Sequence, residues 1–300
     1  MGLLSFLSAI PGPSPTVAAR SASHLPDRLE LGLAVAPPDV IDEPAPEVAA
    51  APAAAPASAP AQGPAGPQSV MLIGDSMAYT AALGLAPRSG EWGFTVANEG
   101  IMGCGVVRGG PFRYFGAERD FEARCDAWPA AWQAALDRNR PDLVAIVVGR
   151  WELMDRVHDG RWTNVFDPAF AAYVEAEFDQ AIALAASGGS RVAVFSTPYY
   201  QRGLTPSGGL FPEDDPARVD IVNALLRSAA ARAGVPVVDV GGWLSPGGRY
   251  TPTLGGVKVR SDGVHLTRQA GDLLAPWLFP QLQVVGRPAP PPQPVPDSVA

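Results

Sequence analysis

Residues 143–148 read LVAIVV, an unbroken apolar run rich in β-branched side chains. A strand with one wet face alternates apolar and polar residues. A continuous run of this kind suits a strand covered on both faces, as in a parallel sheet with helices above and below it. Shorter runs at 70–74, 94–97, 192–196 and 235–240 repeat the signal. Between them the periodicity predicts helices at 78–85, 128–138, 170–186 and 216–233, and a closing helix at 266–282. The fourth of these has Pro216 at its start and Gly234 just past its end, the usual asymmetry of helix termini. Strands separated by helices imply right-handed crossovers between parallel neighbours. The expected fold is α/β, a three-layer sandwich with a five-stranded parallel sheet in flavodoxin-like style. Sites in such sheets form beyond the carboxyl ends of the strands. Candidate functional residues should therefore directly follow strands.

Only the middle of the 300-residue chain carries this pattern. Pro and Ala concentrate at the ends, as in APEVAAAPAAAPASAPAQGPAGP within residues 34–68. Frequent Pro blocks helix and ladder bonds, and little apolar bulk offsets the entropy of ordering. We expect residues 1–68 to be a disordered Ala/Pro-rich linker, 69–283 the folded domain and 284–300 a disordered Pro-rich tail. The linker is either a semi-rigid spacer of about 3.1 Å per residue or simple filler. An apolar run at 3–10 falls far short of the roughly 20 residues of a spanning helix. No positive charge precedes it, as a signal peptide would have, so it reads as a vestigial signal or anchor.

The net charge of −8, with no long run of Lys or Arg, excludes a nucleic-acid partner. The two cysteines, Cys104 and Cys125, are too few for a structural zinc site, and no histidine stands near them at ligand spacing. No metal and no organic cofactor is expected. The cysteines are either buried thiols or a disulfide. A disulfide would close a loop of about 20 residues, stabilise by about 3 kcal/mol and imply an oxidising, extracytoplasmic compartment.

Ser76 follows the first strand in Gly74-Asp75-Ser76-Met77-Ala78. A hydroxyl at a strand-to-helix turn sits where backbone N–H groups are free to stabilise an oxyanion. It needs a base to take its proton. Serine is also a common helix N-cap, so alone the match is weak. Of three histidines, His24 lies in the Pro-rich end, and His158 stands in a polar loop sequence. His265 follows Asp262 by three residues, just before the last helix. That spacing lets the carboxylate hold one imidazole nitrogen while the other faces a serine. The alternative is an Asp capping the last helix and a surface His.

Taken together, G-D-S after the first strand, a parallel α/β pattern and D-x-x-H before the last helix resemble the SGNH (GDSL-like) hydrolase superfamily over residues 69–283. In α/β-hydrolases the serine follows a later strand, and acid and His lie far apart in sequence. The resemblance implies a catalytic triad of Ser76, Asp262 and His265. It also implies an oxyanion hole completed by a block-two Gly, either Gly100 or Gly103, and a block-three Asn from G-x-N-D. Here block three reads Gly149-Arg150-Trp151-Glu152, with Trp151 in place of Asn. One lost oxyanion donor typically costs about 2.7–4 kcal/mol in the transition state. Either Arg150 or a backbone N–H compensates, or the site is slower, or its chemistry is not ordinary hydrolysis. Arg150 could equally pair with Glu152 or Asp155.

A third block of this form is similar to the extracytoplasmic SGNH domains of surface-glycan O-acyltransferases. The resemblance implies transfer of an acyl group, acetyl above all, to a cell-envelope glycan, with a separate membrane acyltransferase as a partner. Two alternatives stand beside it: an esterase using the same triad with water, and a catalytically weak glycan-binding module. Trp151, Trp162, Tyr199 and Tyr200 could offer faces to a sugar, or simply pack. Asp214 and Asp215 are expected to start the helix at Pro216.

Overall fold

The computed structural model describes residues 68–285. The apolar run at 3–10, His24, nearly all of the expected linker and the Pro-rich end beyond 285 lie outside the described residues.

In chain order the first elements are β1 (Gln68–Gly74), α1 (Ser76–Ser89), β2 (Phe94–Gly100), β3 (Phe112–Tyr114), β4 (Ala117–Arg119), α2 (Ala123–Asp126), α3 (Trp128–Asn139) and β5 (Leu143–Val147). They continue with β6 (Arg156–His158), β7 (Arg161–Thr163), α4 (Pro168–Ala186), β8 (Arg191–Phe195), α5 (Pro216–Arg232), β9 (Val237–Val238) and α6 (Val240–Leu244). The β-pair β10 (Thr253–Leu254) and β11 (Val257–Lys258) and the helix α7 (Arg268–Val285) complete them. The main sheet has the order β2-β1-β5-β8-β9, and every pair in it is parallel. This is the expected five-stranded α/β fold. All five residues of β5 are buried, as its unbroken apolar run requires.

Helices α1 and α7 pack on each other, as do α3 with α4 and α4 with α5, so the sheet is flanked by helices. Their starts follow local rules. Asp167 caps α4 by accepting from Ala169 and Phe170 N–H, and Asp215 caps α5 by accepting from Ala217 N–H. In each, proline occupies the first helical position, where its missing N–H costs nothing. No described helix is long and apolar enough to cross a membrane.

Most element boundaries shift by a few residues from expectation, and three shifts bear on the layout of the domain. β1 begins one residue inside the expected linker, and α7 runs two residues into the expected tail. The fifth strand shrinks to Val237–Val238, because Asp239 turns the chain into α6 and accepts from Gly242 N–H. A whole feature is also additional: a four-stranded antiparallel sheet, β4-β3-β6-β7, inserted on either side of β5 in sequence. Its strands have three residues each, too few to show alternation. Its turns, Phe115-Gly116 and Asp159-Gly160, have positive φ at both positions, as tight hairpins need.

Helices α1 and α7 meet glycine on glycine. A Cβ built on Gly271 of α7 would lie 2.2 Å from the Gly84 backbone of α1. Backbone cannot yield as a flexible side chain can, so Gly271→Ala should separate the two helices. We expect a stability loss of about 2 kcal/mol or more in urea unfolding. An unchanged midpoint would show that this contact does not limit the packing.

Candidate active site

The site begins where β1 passes into α1. Gly74 has φ +138°, and a Cβ on it would lie 1.8 Å from the Val147 carbonyl oxygen, so only glycine fits. The next residue, Asp75, donates its N–H to that carbonyl at 3.1 Å. Its Oδ1 accepts from Met77 N–H at 2.7 Å and caps α1. The cap is therefore Asp75 and not Ser76, which leaves the serine hydroxyl free for other work. Ser76 Oγ lies 2.9 Å from His265 Nε2. The Ser76 backbone N–H, at the helix N-terminus, has no hydrogen-bond partner among the described residues.

His265 is held by the turn that precedes α7. Asp262 Oδ1 accepts from the N–H groups of Val264 (3.1 Å) and His265 (2.9 Å). Its Oδ2 lies 2.8 Å from His265 Nδ1. An ionised carboxylate only accepts, so Nδ1 carries the proton and Nε2 is left to accept from Ser76. Partial burial by itself would raise the Asp262 pKa. The hydrogen bonds from the His265 backbone and ring outweigh it and hold the carboxyl at about 2. Below the turn, buried Arg260 donates from Nη1 to the Val264 carbonyl at 3.0 Å. Burial lowers its own pKa to about 10. The structure thus brings Ser76, His265 and Asp262 into one relay.

The oxyanion candidates separate clearly. Gly100 ends β2 pressed against α1, where a Cβ would lie 2.3 Å from Tyr79 N, and its N–H is turned to Asn98 Oδ1 at 3.3 Å. Gly103 lies in the following turn with φ +81°, and its N–H has no partner among the described residues. Gly103 is therefore the available block-two donor. The Arg150 guanidinium is turned to buried Asp214. It is buried, with Nη1 donating to Asp214 Oδ1 at 2.7 Å and to the Glu213 carbonyl, so it pairs with neither Glu152 nor Asp155. Trp151 packs edge-on to Phe112 at 5.6 Å and tilted against Tyr114 at 5.6 Å, beside Gly103. Its Nε1 is buried and has no hydrogen-bond partner among the described residues. Trp151 takes the place of the Asn in sequence, and the N–H groups of Ser76 and Gly103 are backbone donors without partners among the described residues.

Glu152 is a residue that sequence reasoning missed. Fully buried, it accepts from Val106 (2.8 Å) and Val107 (3.4 Å) on Oε1 and from Gly149 (2.9 Å) on Oε2. It thereby ties the loop carrying Gly103 to the loop carrying Trp151. Its signal was its place next to Trp151 at the end of a strand. A disulfide joins Cys104, adjacent to Gly103, to Cys125 of α2. The remaining candidates serve packing. His158 stacks on Tyr173 at 4.3 Å, and Trp162 lies under the Arg113 guanidinium at 3.9 Å. Tyr199 donates to Asp220, and Tyr200 is buried beside Thr197 with the Arg150 guanidinium over its ring. Asp215 caps α5 as expected, but Asp214 is the buried partner of Arg150, a role that helix-start reasoning does not foresee.

The family described as SGNH domain (fused to AT3 domains) matches residues 45–280. No curated protein matches the chain. Among solved structures, a lipase/acylhydrolase from Enterococcus faecalis is similar over 74% of this chain and 99% of its own, at 16% identity and a TM-score of 0.44. The native M. smegmatis aryl esterase is similar over 73% of this chain and 99% of its own, at 18% identity and a TM-score of 0.46. A GDSL-like lipase from Bacteroides thetaiotaomicron VPI-5482 covers 72% of this chain and 88% of its own, at 14% identity and a TM-score of 0.45.

Asp75 makes the site sensitive to pH. Burial, and then the nearby Glu152 carboxyl, push its pKa from 3.8 up to about 8. It is neutral in the fold and ionised in the unfolded chain across that window. The unfolded state then binds fewer protons, so stability falls as pH rises from about 4 to about 8. The slope from this one group is at most about 1.4 kcal/mol per pH unit. Asp75→Asn, which keeps a capping oxygen, should flatten the dependence in denaturant melts between those limits. Identical slopes in the two proteins would mean that Asp75 is ionised in the fold.

Proposed function

The chain belongs to the SGNH family, in the form described as fused to AT3 domains, and from that premise we propose that it transfers an acyl group, acetyl in the simplest case, to a hydroxyl of a cell-envelope glycan through an acyl-serine intermediate. The observation that carries the reading is the unbroken relay from Asp262 Oδ2 through His265 to Ser76 Oγ.

Ser76 Oγ attacks the ester or thioester carbonyl while its proton passes to His265 Nε2. Asp262 stabilises the imidazolium so formed. The carbonyl oxygen becomes an oxyanion, held by the backbone N–H groups of Ser76 and Gly103. Collapse expels the leaving group, which takes the proton from His265, and leaves acyl-Ser76. An acceptor hydroxyl then gives its proton to His265 and attacks the acyl carbon. A second collapse returns the proton to Ser76 Oγ and releases the acylated glycan. With water as acceptor the same steps amount to ester hydrolysis. Two backbone donors in place of three make each tetrahedral step slower than a full oxyanion hole would. The neutral state of Asp75 spares the oxyanion a neighbouring negative charge.

Ser76 is only 3% exposed, which favours a small acyl group such as acetyl over a long chain. The Cys104–Cys125 disulfide supports an oxidising, extracytoplasmic setting. The fused domains in the family description support a membrane acyltransferase as donor-side partner.

The test uses the full-length chain with nitrophenyl acetate, with and without chitotetraose, and mass spectrometry of the sugar. Acetylated sugar that disappears in Ser76→Ala, with turnover down by roughly 1000-fold or more, supports transfer. Serine-dependent acetate with no acetylated product, from this or other envelope glycans, would make the protein an esterase. Equal rates for both proteins would remove the serine chemistry altogether and leave a binding module.

A further inference from the structure

The acid of a Ser-His-Asp triad is ordinarily buried, which keeps water off it and fixes its orientation. Here the Asp262 side chain is 34% exposed. Its Oδ1 is tied down by two backbone N–H groups, but Oδ2, the oxygen that faces His265, has one other cationic neighbour within 4 Å among the described residues, with buried Arg260 acting on the carboxylate from farther away. The near neighbour is Arg202, whose Nη2 lies 3.5 Å away.

Arg202 is fixed from three sides. Its backbone N–H donates to Asp214 Oδ2 at 2.9 Å, and Asp214 is itself anchored by buried Arg150. Its Nη1 donates to the Tyr114 hydroxyl at 2.8 Å. Its guanidinium lies over the rings of Tyr114 (5.8 Å) and Phe115 (5.6 Å). The preceding residue presses on the turn itself. Gln201 N–H donates to the Gly263 carbonyl at 3.2 Å, and a Cβ on Gly263 would lie 2.0 Å from Gln201 O. The chain of contacts therefore runs from the inserted antiparallel sheet, through Tyr114 and Arg202, to the triad acid.

Building on the triad reading above, we propose that Arg202 is a positioning residue: braced by Tyr114, it holds the solvent-exposed Asp262 carboxylate in the orientation that His265 needs. A hydrated, rotating carboxylate would spend part of its time away from Nδ1, and small displacements in such a relay cost rate. Arg202 touches no reacting atom, so its effect passes entirely through Asp262.

The test measures nitrophenyl acetate turnover by the full-length chain, with active serines counted by fluorophosphonate titration. For Arg202→Met we expect kcat per titrated serine to fall about tenfold, with KM changed by less than about twofold. Arg202→Lys, which can still reach Asp262, should recover part of the loss. Tyr114→Phe should lose less than Arg202→Met, and adding it to Arg202→Met should cost nothing further, because both act through one contact. A normal kcat per titrated serine in Arg202→Met, even with a lower melting temperature, would overturn the proposal. If Arg202→Met does not fold, unchanged kcat in both Arg202→Lys and Tyr114→Phe overturns it equally. Ser76→Ala separates the two levels. If it is inactive while Arg202→Met is fully active, only the role of Arg202 fails; if it is as active as wild type, the serine mechanism fails first.

Discussion

The site depends on one hydrogen bond between neighbouring strands, from Asp75 N–H to the Val147 carbonyl. At this point β1 has run out of ladder, and the chain must leave the sheet and begin a helix within two residues. Gly74 permits the turn because no side chain fits against Val147. Asp75 caps the helix, and Ser76 becomes its first residue, with its N–H unpartnered among the described residues and its hydroxyl turned to His265. On the other edge of β1, Ile101 N–H donates to the Gly74 carbonyl at 2.7 Å, which brings the end of β2 alongside. The loops after β2 and β5 therefore arrive on either side of the nucleophile. One carries Gly103, the other Trp151 and Glu152.

Those loops contain little regular structure, and polar contacts hold them. Glu152 gathers three N–H groups from two loops onto one buried carboxylate, and the disulfide pins the residue next to Gly103. The arrangement places two carboxyls, Asp75 and Glu152, in the same buried space, and each raises its pKa by burial. Such a site is costly to ionise. A neutral Asp75 adds no negative charge of its own behind Ser76, which suits a reaction that builds an oxyanion there.

Much of this was legible in the residues. The unbroken run at 143–148 announced a doubly covered strand, and the positions of Ser76 and Asp262-x-x-His265 relative to strands and helices marked the relay. What could not be read was set by contacts between distant segments. Arg150 met Asp214 across 64 residues, where sequence neighbours offered Glu152 and Asp155. The inserted sheet escaped because three-residue strands have no period to detect, although Asp159-Gly160 is a hairpin signal. The choice between Gly100 and Gly103 turned on which N–H a neighbouring side chain had already taken, which spacing alone does not reveal.

The central claim is that Ser76 carries the acyl group between donor and acceptor. The most direct measurement mixes the full-length protein with nitrophenyl acetate, quenches in acid and maps the peptides by mass spectrometry. The account predicts one added acetyl on the peptide that contains Ser76, which disappears when a glycan acceptor is supplied before the quench. Turnover without any acetyl on Ser76, under quenching fast enough to hold an ester, would contradict it.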